Sequence, residues 1–161
     1  MEHDCDIAIV GGGLNGPALA LAAAQVGLRV IVLDATSHKP RKNAKFDGRA
    51  YALALASKRL MAAVGVWENV AQDAEPMLNI RVSDGHAGVG ASPFFMDFDH
   101  AELEEGPMGY MVEDRHLRYA LQAAMQTSPL IEYRLATSVT GQTTGPEGVT
   151  LSLANNQKIT T

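Results

Sequence analysis

The chain has 161 residues, a formal net charge of -5 at pH 7 and a single cysteine. This length allows one domain with its own hydrophobic core. The acidic balance argues against a nucleic-acid partner, and one cysteine excludes an internal disulfide framework and fits a reducing, cytoplasmic environment. The acidic first residues are unlike a secretory leader, and the apolar stretch over residues 17–26 is too short to span a bilayer.

The opening of the chain predicts a strand, a helix and a second strand. Residues 6–10 are apolar and β-branched, which is typical of a buried parallel strand. Residues 14–26 are good helix formers, and Pro17 falls in the first turn, where its missing N–H is tolerated. Residues 28–33 predict the second buried strand. We therefore expect a parallel β-α-β unit with a right-handed crossover.

The rest of the chain predicts a mixture of helices and strands. A polar loop is expected over residues 36–45 and a helix over residues 50–64. Residues 78–83 and 93–98 predict an antiparallel pair joined by the glycine-rich turn 84–90. The last part predicts a helix over residues 114–126 and strands over residues 131–133, 136–140 and 149–153 and from residue 158 onward.

Three glycines between the first strand and the helix form the pattern G-x-G-x-x-G. Gly11 permits a tight turn, Gly13 lets a diphosphate approach the backbone, and Gly16 lets the helix pack against the strand. The helix N-terminus favours phosphate groups. Asp34 ends the second strand, where a carboxylate can accept hydrogen bonds from ribose hydroxyls and would repel a 2′-phosphate. These parts in register predict a dinucleotide site; the alternative is a glycine-rich turn in an unrelated α/β sheet.

The segment after Asp34 bears on which dinucleotide is bound. A loop, Arg49 and a predicted helix follow the acid, whereas a plain NAD dehydrogenase would continue with another strand. Here the chain resembles the N-terminal part of single-component flavoprotein aromatic hydroxylases, the group of p-hydroxybenzoate hydroxylase, and within it the ubiquinone-biosynthesis hydroxylases. The resemblance covers essentially the whole chain and is carried by residues 11–16, Asp34, "DGRAYALALAS" (47–57), "GVWENV" (65–70) and "GYMVEDRHLRYAL" (109–121).

The resemblance implies that FAD is the cofactor and that its adenosine lies on the β-α-β unit. The cofactor-binding residues that we predict are Gly11, Gly13, Leu14, Asn15, Gly16, Asp34, Arg49, Arg115 and Val139. Arg49 matches the family arginine that lies along FAD; the alternative is a surface ion pair. Val139 matches a backbone contact to the adenine, or is a plain core valine. The resemblance also implies a flavin-facing side chain near the start of the helix at Asp114, where many relatives carry Arg, Gln or Asn. Arg115 is a candidate for that role, although a solvated arginine at the helix start is the favoured interpretation.

The resemblance also implies a function. It predicts an FAD-dependent monooxygenase that uses NAD(P)H and O₂ to hydroxylate a polyprenylated aromatic ring in ubiquinone biosynthesis. The histidines lack metal-ligand spacing, and we nominate no catalytic side chain and no metal. The expected partner is a small quinone precursor, with peripheral contact to the inner membrane and membership of a multiprotein complex as further expectations. The alternatives are another flavin or NAD oxidoreductase of this fold and a non-catalytic nucleotide-binding module.

The predicted fold class is α/β, a Rossmann-like FAD-binding domain with the start of an antiparallel substrate-domain sheet. We expect residues 1–75 and 108–161 to belong to the FAD-binding domain and residues 76–107 to begin the substrate domain. The final strand has no closing element, so we interpret the chain as an N-terminal fragment that is inactive alone. The apolar cluster at Phe94, Phe95, Met96 and Phe98 is interpreted as sheet core in preference to pocket lining.

Overall fold

A computed structural model describes residues 3–102 and 104–161 of the chain. In this part of the chain there are three α-helices: α1 (Asn15–Gln25), α2 (Leu55–Ala63) and α3 (Asp114–Thr127). The strands of the same part are β1 (Ile7–Val10), β2 (Val30–Leu33), β3 (Ala50–Ala54), β4 (Ala74–Met77), β5 (Asn79–His86), β6 (Gly90–Asp99), β7 (Gly109–Glu113), β8 (Ile131–Arg134), β9 (Val139–Gly145), β10 (Gly148–Leu153) and β11 (Lys158–Thr160). Short 3-10 turns lie at Trp67–Asn69, Ala71–Asp73 and His100–Glu102.

The first sheet is parallel and has the order β1-β2-β8. All four residues of β2 are buried, because this central strand is covered on both faces. Helix α1 links β1 to β2, so the β-α-β unit expected from the sequence is confirmed. Because all three strands are parallel, their carboxyl ends lie along one edge, which is where ligands bind in open α/β sheets.

Two hydrophobic clusters enclose this sheet. Val30 and Val32 point to one face, where they join α1 and α3 side chains such as Leu21 and Leu121. Ile31 points to the other face, where a cluster with Leu151, Leu153 and Ile159 packs against the antiparallel sheet of order β11-β10-β9. The parallel sheet is therefore the middle of three layers, and its alternating side chains hold both outer layers in place.

The predicted helix over residues 50–64 is correct only in its second half. Its first five residues form β3, which pairs with β7, and β7 also pairs with β4. The alanine-rich sequence favours a helix by propensity, but the antiparallel pairing with a distant strand overrides it. Strands β3 and β7 run directly into α2 and α3, so this sheet fixes where both helices begin.

Strands β5 and β6 confirm the predicted antiparallel pair and form a two-stranded sheet of their own. The prediction that Phe94, Phe95, Met96 and Phe98 form sheet core is wrong for this chain, since each is between 44% and 82% exposed. The physical reason is that within the described residues no layer packs against this hairpin.

The strand expected at residues 136–140 begins later than predicted, at Val139. Ala136 has a φ of 50°, in the left-handed region, which ends extended backbone. The turn is held against the end of β2, because the N–H of Ala136 donates to the Thr36 carbonyl oxygen and the N–H of Thr137 to that of Asp34.

Candidate functional site

The turn between β1 and α1 has the geometry that its glycines predict. Gly11 has a φ of 114°, which L side chains rarely adopt, and its N–H donates to the Leu33 carbonyl oxygen at 2.8 Å. A Cβ on Gly16 would overlap the Gly11 carbonyl oxygen, so this glycine lets α1 approach the turn closely. A Cβ on Gly13 would have no protein atom within 4 Å, so Gly13 faces open space.

A cavity of about 640 Å³ lies beside this turn and is called the glycine cavity below. One wall is the turn and the start of α1, a second wall is β3, and a third is α3. Its lining includes five of the predicted site residues, namely Gly11, Gly13, Leu14, Asn15 and Gly16. No side chain caps the N-terminus of α1 among the described residues, so the first-turn N–H groups remain available to an anion.

A second cavity, of about 420 Å³, is lined by Asp34 and is called the Asp34 cavity. Arg49 and Arg115 also line it, as does the polar loop after β2. The glycine turn contributes Gly12 to this cavity and its neighbours Gly11 and Gly13 to the glycine cavity, so the turn lies between the two. A ligand with a ribose at one end and a diphosphate in the middle can therefore span both.

The Asp34 carboxylate is held in a fixed orientation. Its Oδ1 accepts a hydrogen bond from the Thr36 N–H, and its Oδ2 accepts one from the Tyr133 hydroxyl, each at 2.9 Å. Burial and the bond to Asp34 raise the pKa of Tyr133, so this hydroxyl stays a donor. A carboxylate has about four acceptor positions, so Asp34 can still accept from ribose hydroxyls.

The residue between the two motif glycines is itself constrained. A Cβ on Gly12 would overlap Asp34 Oδ2 and the Tyr133 hydroxyl oxygen. The sequence predictions did not include Gly12 or Tyr133. Tyr133 lies on β8, next to β2, and only the register of these strands brings it to Asp34.

Arg49 combines both interpretations that the sequence left open. It lines the Asp34 cavity, and it also forms an ion pair, with its Nε donating to Asp47 Oδ2 at 2.9 Å. The side chain is about half exposed, and the pKa of Asp47 is lowered by its hydrogen bond to Arg49. Arg115 is engaged within the protein, because its Nη1 donates to the Ala44 carbonyl oxygen at 2.8 Å. This bond connects the polar loop to α3.

Asp114 is buried at the start of α3. Its carboxylate accepts from Arg118 Nε at 2.9 and 2.7 Å and lies 3.3 Å from Arg49 Nη2. Arg118 was not predicted, although its position one helical turn after Asp114 is a spacing at which charged side chains pair. It lines both cavities.

Val139 is placed apart from these groups. It begins β9, pairs with Leu153 and packs against the cluster on the far face of the parallel sheet. It lines neither the glycine cavity nor the Asp34 cavity. Its backbone contact with an adenine therefore stays a prediction.

Three further observations complete the description of these residues. Among residues 3–102 and 104–161, no three or more His, Cys, Asp or Glu side chains are grouped so that they could hold a metal ion. In the same residues, no helix combines the length and apolar character needed to cross a membrane. A larger cavity of about 720 Å³ lies between α1, α3 and the turn at Trp67–Asn69, away from the glycine turn.

These features fit a dinucleotide: glycines with free space above them, a carboxylate with unused acceptor positions, and guanidinium groups beside the path between the cavities. The fold and site define a dinucleotide-binding α/β protein. Residues 4–160 match the protein family described as FAD binding domain, and the chain belongs to this family. FAD, the cofactor predicted from the sequence, is therefore the cofactor of this domain.

Two relatives agree with the resemblance to ubiquinone-type hydroxylases. The chain is 38% identical to the ubiquinone hydroxylase UbiL of Rhodospirillum rubrum over 154 residues, which cover 96% of this chain and 34% of that protein. It is 35% identical to the 3-demethoxyubiquinol 3-hydroxylase of Escherichia coli K12 over 136 residues, or 83% of this chain and 33% of that protein. The chain thus spans about a third of the length of these relatives.

A solved structure shares the fold. The p-nitrophenol 4-monooxygenase PnpA of Pseudomonas putida DLL-E4 superposes with a TM-score of 0.68 at 21% identity. The match covers 91% of this chain and 35% of that one. The α/β fold class expected from the sequence is thereby confirmed.

Proposed function

We propose that this chain is the FAD-binding part of a flavoprotein monooxygenase that hydroxylates an aromatic quinone precursor in ubiquinone biosynthesis. The observation that carries the proposal is the Asp34 carboxylate, which is oriented by two hydrogen bonds and lies beside an open glycine turn in an FAD-binding domain. The two ubiquinone-type relatives support the choice of substrate class.

The site residues divide by the part of FAD that each would hold. Asp34 would accept hydrogen bonds from the adenosine ribose, and its charge disfavours a 2′-phosphate. The turn at Gly11 and Gly13 and the N-terminus of α1 would hold the diphosphate, and Arg49 would neutralise part of its charge. Leu14, Asn15 and Gly16 complete the wall of the glycine cavity. Arg115 would hold the polar loop at the wall of the Asp34 cavity through its bond to Ala44, and Val139 would contact the adenine through its backbone.

When bound, FAD supplies the redox chemistry, with NAD(P)H as reductant and O₂ as oxidant. In the overall reaction, one oxygen atom of O₂ enters the aromatic ring as a hydroxyl group. The other leaves as water, which takes the hydride of NAD(P)H, that is, two electrons and one proton, and one further proton from solvent. In this chain the side chains bind and orient the cofactor and exclude water from it, and no residue needs to act as a nucleophile.

The exposed apolar side chains of the β5–β6 hairpin favour the proposal that the substrate is apolar. Ile80 pairs with Phe98 and Val82 with Met96, so these four side chains share one face, and each is at least 38% exposed. We assign residues 76–107 to the start of a substrate domain and residues 1–75 and 108–161 to the FAD-binding domain. An uncovered apolar face of this kind suits a prenylated ring, and such a substrate would bring the enzyme to the membrane surface and to other quinone-biosynthesis enzymes.

The full-length gene product tests this proposal. We expect it to purify with a flavin absorption spectrum, to oxidise NAD(P)H faster when a prenylated phenol is added, and to add one oxygen atom to that phenol by mass spectrometry. The Asp34→Asn variant tests the role of the carboxylate, because it keeps the shape of the side chain and removes its charge. It should lose flavin and activity together. A protein without flavin that reduces a carbonyl substrate with NADH would instead be a dehydrogenase and would overturn the proposal.

A further inference from the structure

Among the described residues, Arg118 is the one that lines both the glycine cavity and the Asp34 cavity. A dinucleotide whose ribose meets Asp34 and whose diphosphate meets the glycine turn must pass the boundary between these cavities. Arg118 would therefore lie beside the diphosphate of such a ligand, the part that carries two negative charges.

The guanidinium group of Arg118 is held from one side only. Its Nε donates to both carboxylate oxygens of Asp114, at 2.9 and 2.7 Å. Within residues 3–102 and 104–161 the Arg118 side chain makes no other hydrogen bond. The two terminal nitrogens, Nη1 and Nη2, have no protein acceptor there, and the side chain is 31% exposed. Four N–H donors of a planar group thus lack a protein acceptor among these residues, on a side chain that lines both cavities, and they suit the oxygens of a phosphate.

Asp114 orients more than one cation. Its side chain is only 4% exposed, and its Oδ2 lies 2.7 Å from Arg118 Nε and 3.3 Å from Arg49 Nη2. The backbone gives a second link, because the Asp114 N–H donates to the Arg49 carbonyl oxygen at 3.0 Å. A buried carboxylate between two guanidinium groups fixes their separation and reduces their mutual repulsion.

We propose that Arg118 is a second diphosphate-binding residue of this site and that Asp114 is a positioning residue that orients Arg118 and Arg49 toward the diphosphate. This inference rests on the proposed binding of FAD across the two cavities.

The test compares ligand affinity in the full-length apoprotein by calorimetry, with FAD and with ADP as probes. Arg118→Gln should weaken both ligands about 10- to 100-fold, which is the effect of losing a charge-assisted hydrogen bond to phosphate. The loss should shrink in high salt, and Arg118→Lys should recover part of the affinity. An Arg118→Gln variant that binds both ligands like the wild type but melts at a lower temperature would show that Arg118 only ties down Asp114, and would overturn the inference.

Asp114→Asn should change ADP affinity in opposite directions, depending on whether Asp114 acts only through its negative charge or positions the two arginines. Removing a negative charge near a diphosphate should tighten binding if Asp114 acts only through its charge. If Asp114 positions the two arginines, the same variant should weaken binding of ADP, and it should do so much less in an Arg118→Gln background, because the two residues act as one unit. Tighter binding, or the same loss in both backgrounds, would contradict the positioning role.

The proposed function fails in a different way from this inference. If the wild type binds neither probe, or if Asp34→Asn binds FAD normally, the site itself is wrong and the role of Arg118 falls with it. If the wild type binds FAD, Asp34→Asn weakens it and Arg118→Gln does not, only the inference about Arg118 is wrong.

Discussion

Gly12→Ala offers a sharp test of how the ribose end of the site is built. The added methyl group would overlap Asp34 Oδ2 and the Tyr133 hydroxyl oxygen, so one of these groups has to move. Overpacking of this kind costs about 1–3 kcal/mol. Movement also breaks the 2.9 Å bond between Tyr133 and Asp34, and a hydrogen bond to a charged group contributes about 1.5–3 kcal/mol. The displacement that breaks this hydrogen bond also removes the overlap, so the two costs do not add in full. We therefore expect the free energy of unfolding of the apoprotein to fall by about 2–3 kcal/mol.

The same substitution should weaken FAD binding, because a displaced Asp34 no longer meets the ribose. Losing one charged hydrogen bond corresponds to about a 10- to 100-fold higher Kd. Urea unfolding of the apoprotein and flavin fluorescence titration measure the two effects separately.

Gly13→Ala is the matched control. Its Cβ would meet no protein atom within 4 Å, so the stability of the apoprotein should be unchanged. The methyl group would still face the diphosphate, so FAD affinity should fall. A Gly12→Ala variant with wild-type stability and wild-type FAD affinity would refute the reasoning.

A double variant separates the causes further. Tyr133→Phe removes one of the two oxygens that the Gly12→Ala methyl group would overlap. The double variant should therefore be less destabilised than the sum of the two single variants. Simple additivity would mean that the methyl group and the hydroxyl do not compete for the same space.

Three further predictions concern the scaffold. Ile31→Ala should lower the free energy of unfolding by about 2–5 kcal/mol, because Ile31 is 3% exposed and packs from β2 against β10. A loss in urea unfolding no larger than that of a surface substitution would contradict this packing. Ala136→Gly should raise stability by about 1 kcal/mol, since Ala136 has a φ of 50°, and a lower melting temperature would contradict the assigned turn. The pKa of Asp4 is lowered by hydrogen bonds from the Thr160 N–H and hydroxyl, so its contribution to stability is present above pH 3.8 and is lost as the pH falls below that value. Asp4→Asn should flatten this part of the acid unfolding profile, and an unchanged profile would show that the contact does not form.

The parts of the fold that were predictable are those with local signals. The β-α-β unit follows from two short apolar runs and the glycines between them, and α3 follows from the spacing of Leu117, Leu121 and Met125. Strand β3 was mistaken for helix, because its alanine and leucine residues favour a helix and its partner β7 is far away in the sequence. Tertiary pairing decides such a segment, and no single window of sequence contains it.

The site divides in the same way. The turn glycines and Asp34 belong to one contiguous motif, so their types and spacing predicted their positions. Tyr133 lies 99 residues from Asp34 in sequence, and the pairing of β2 with β8 brings them together. Arg118 was missed for another reason: an arginine inside a helix is ordinary, and only the buried Asp114 beside two cavities distinguishes it.

A crystal structure of the full-length protein with FAD bound tests the central claim most directly. We expect the adenosine ribose hydroxyls within hydrogen-bond distance, about 2.5–3.2 Å, of the Asp34 carboxylate, and the diphosphate over Gly11 and Gly13. Density for FAD elsewhere in the protein, or an Asp34 carboxylate that contacts no part of the cofactor, would contradict it.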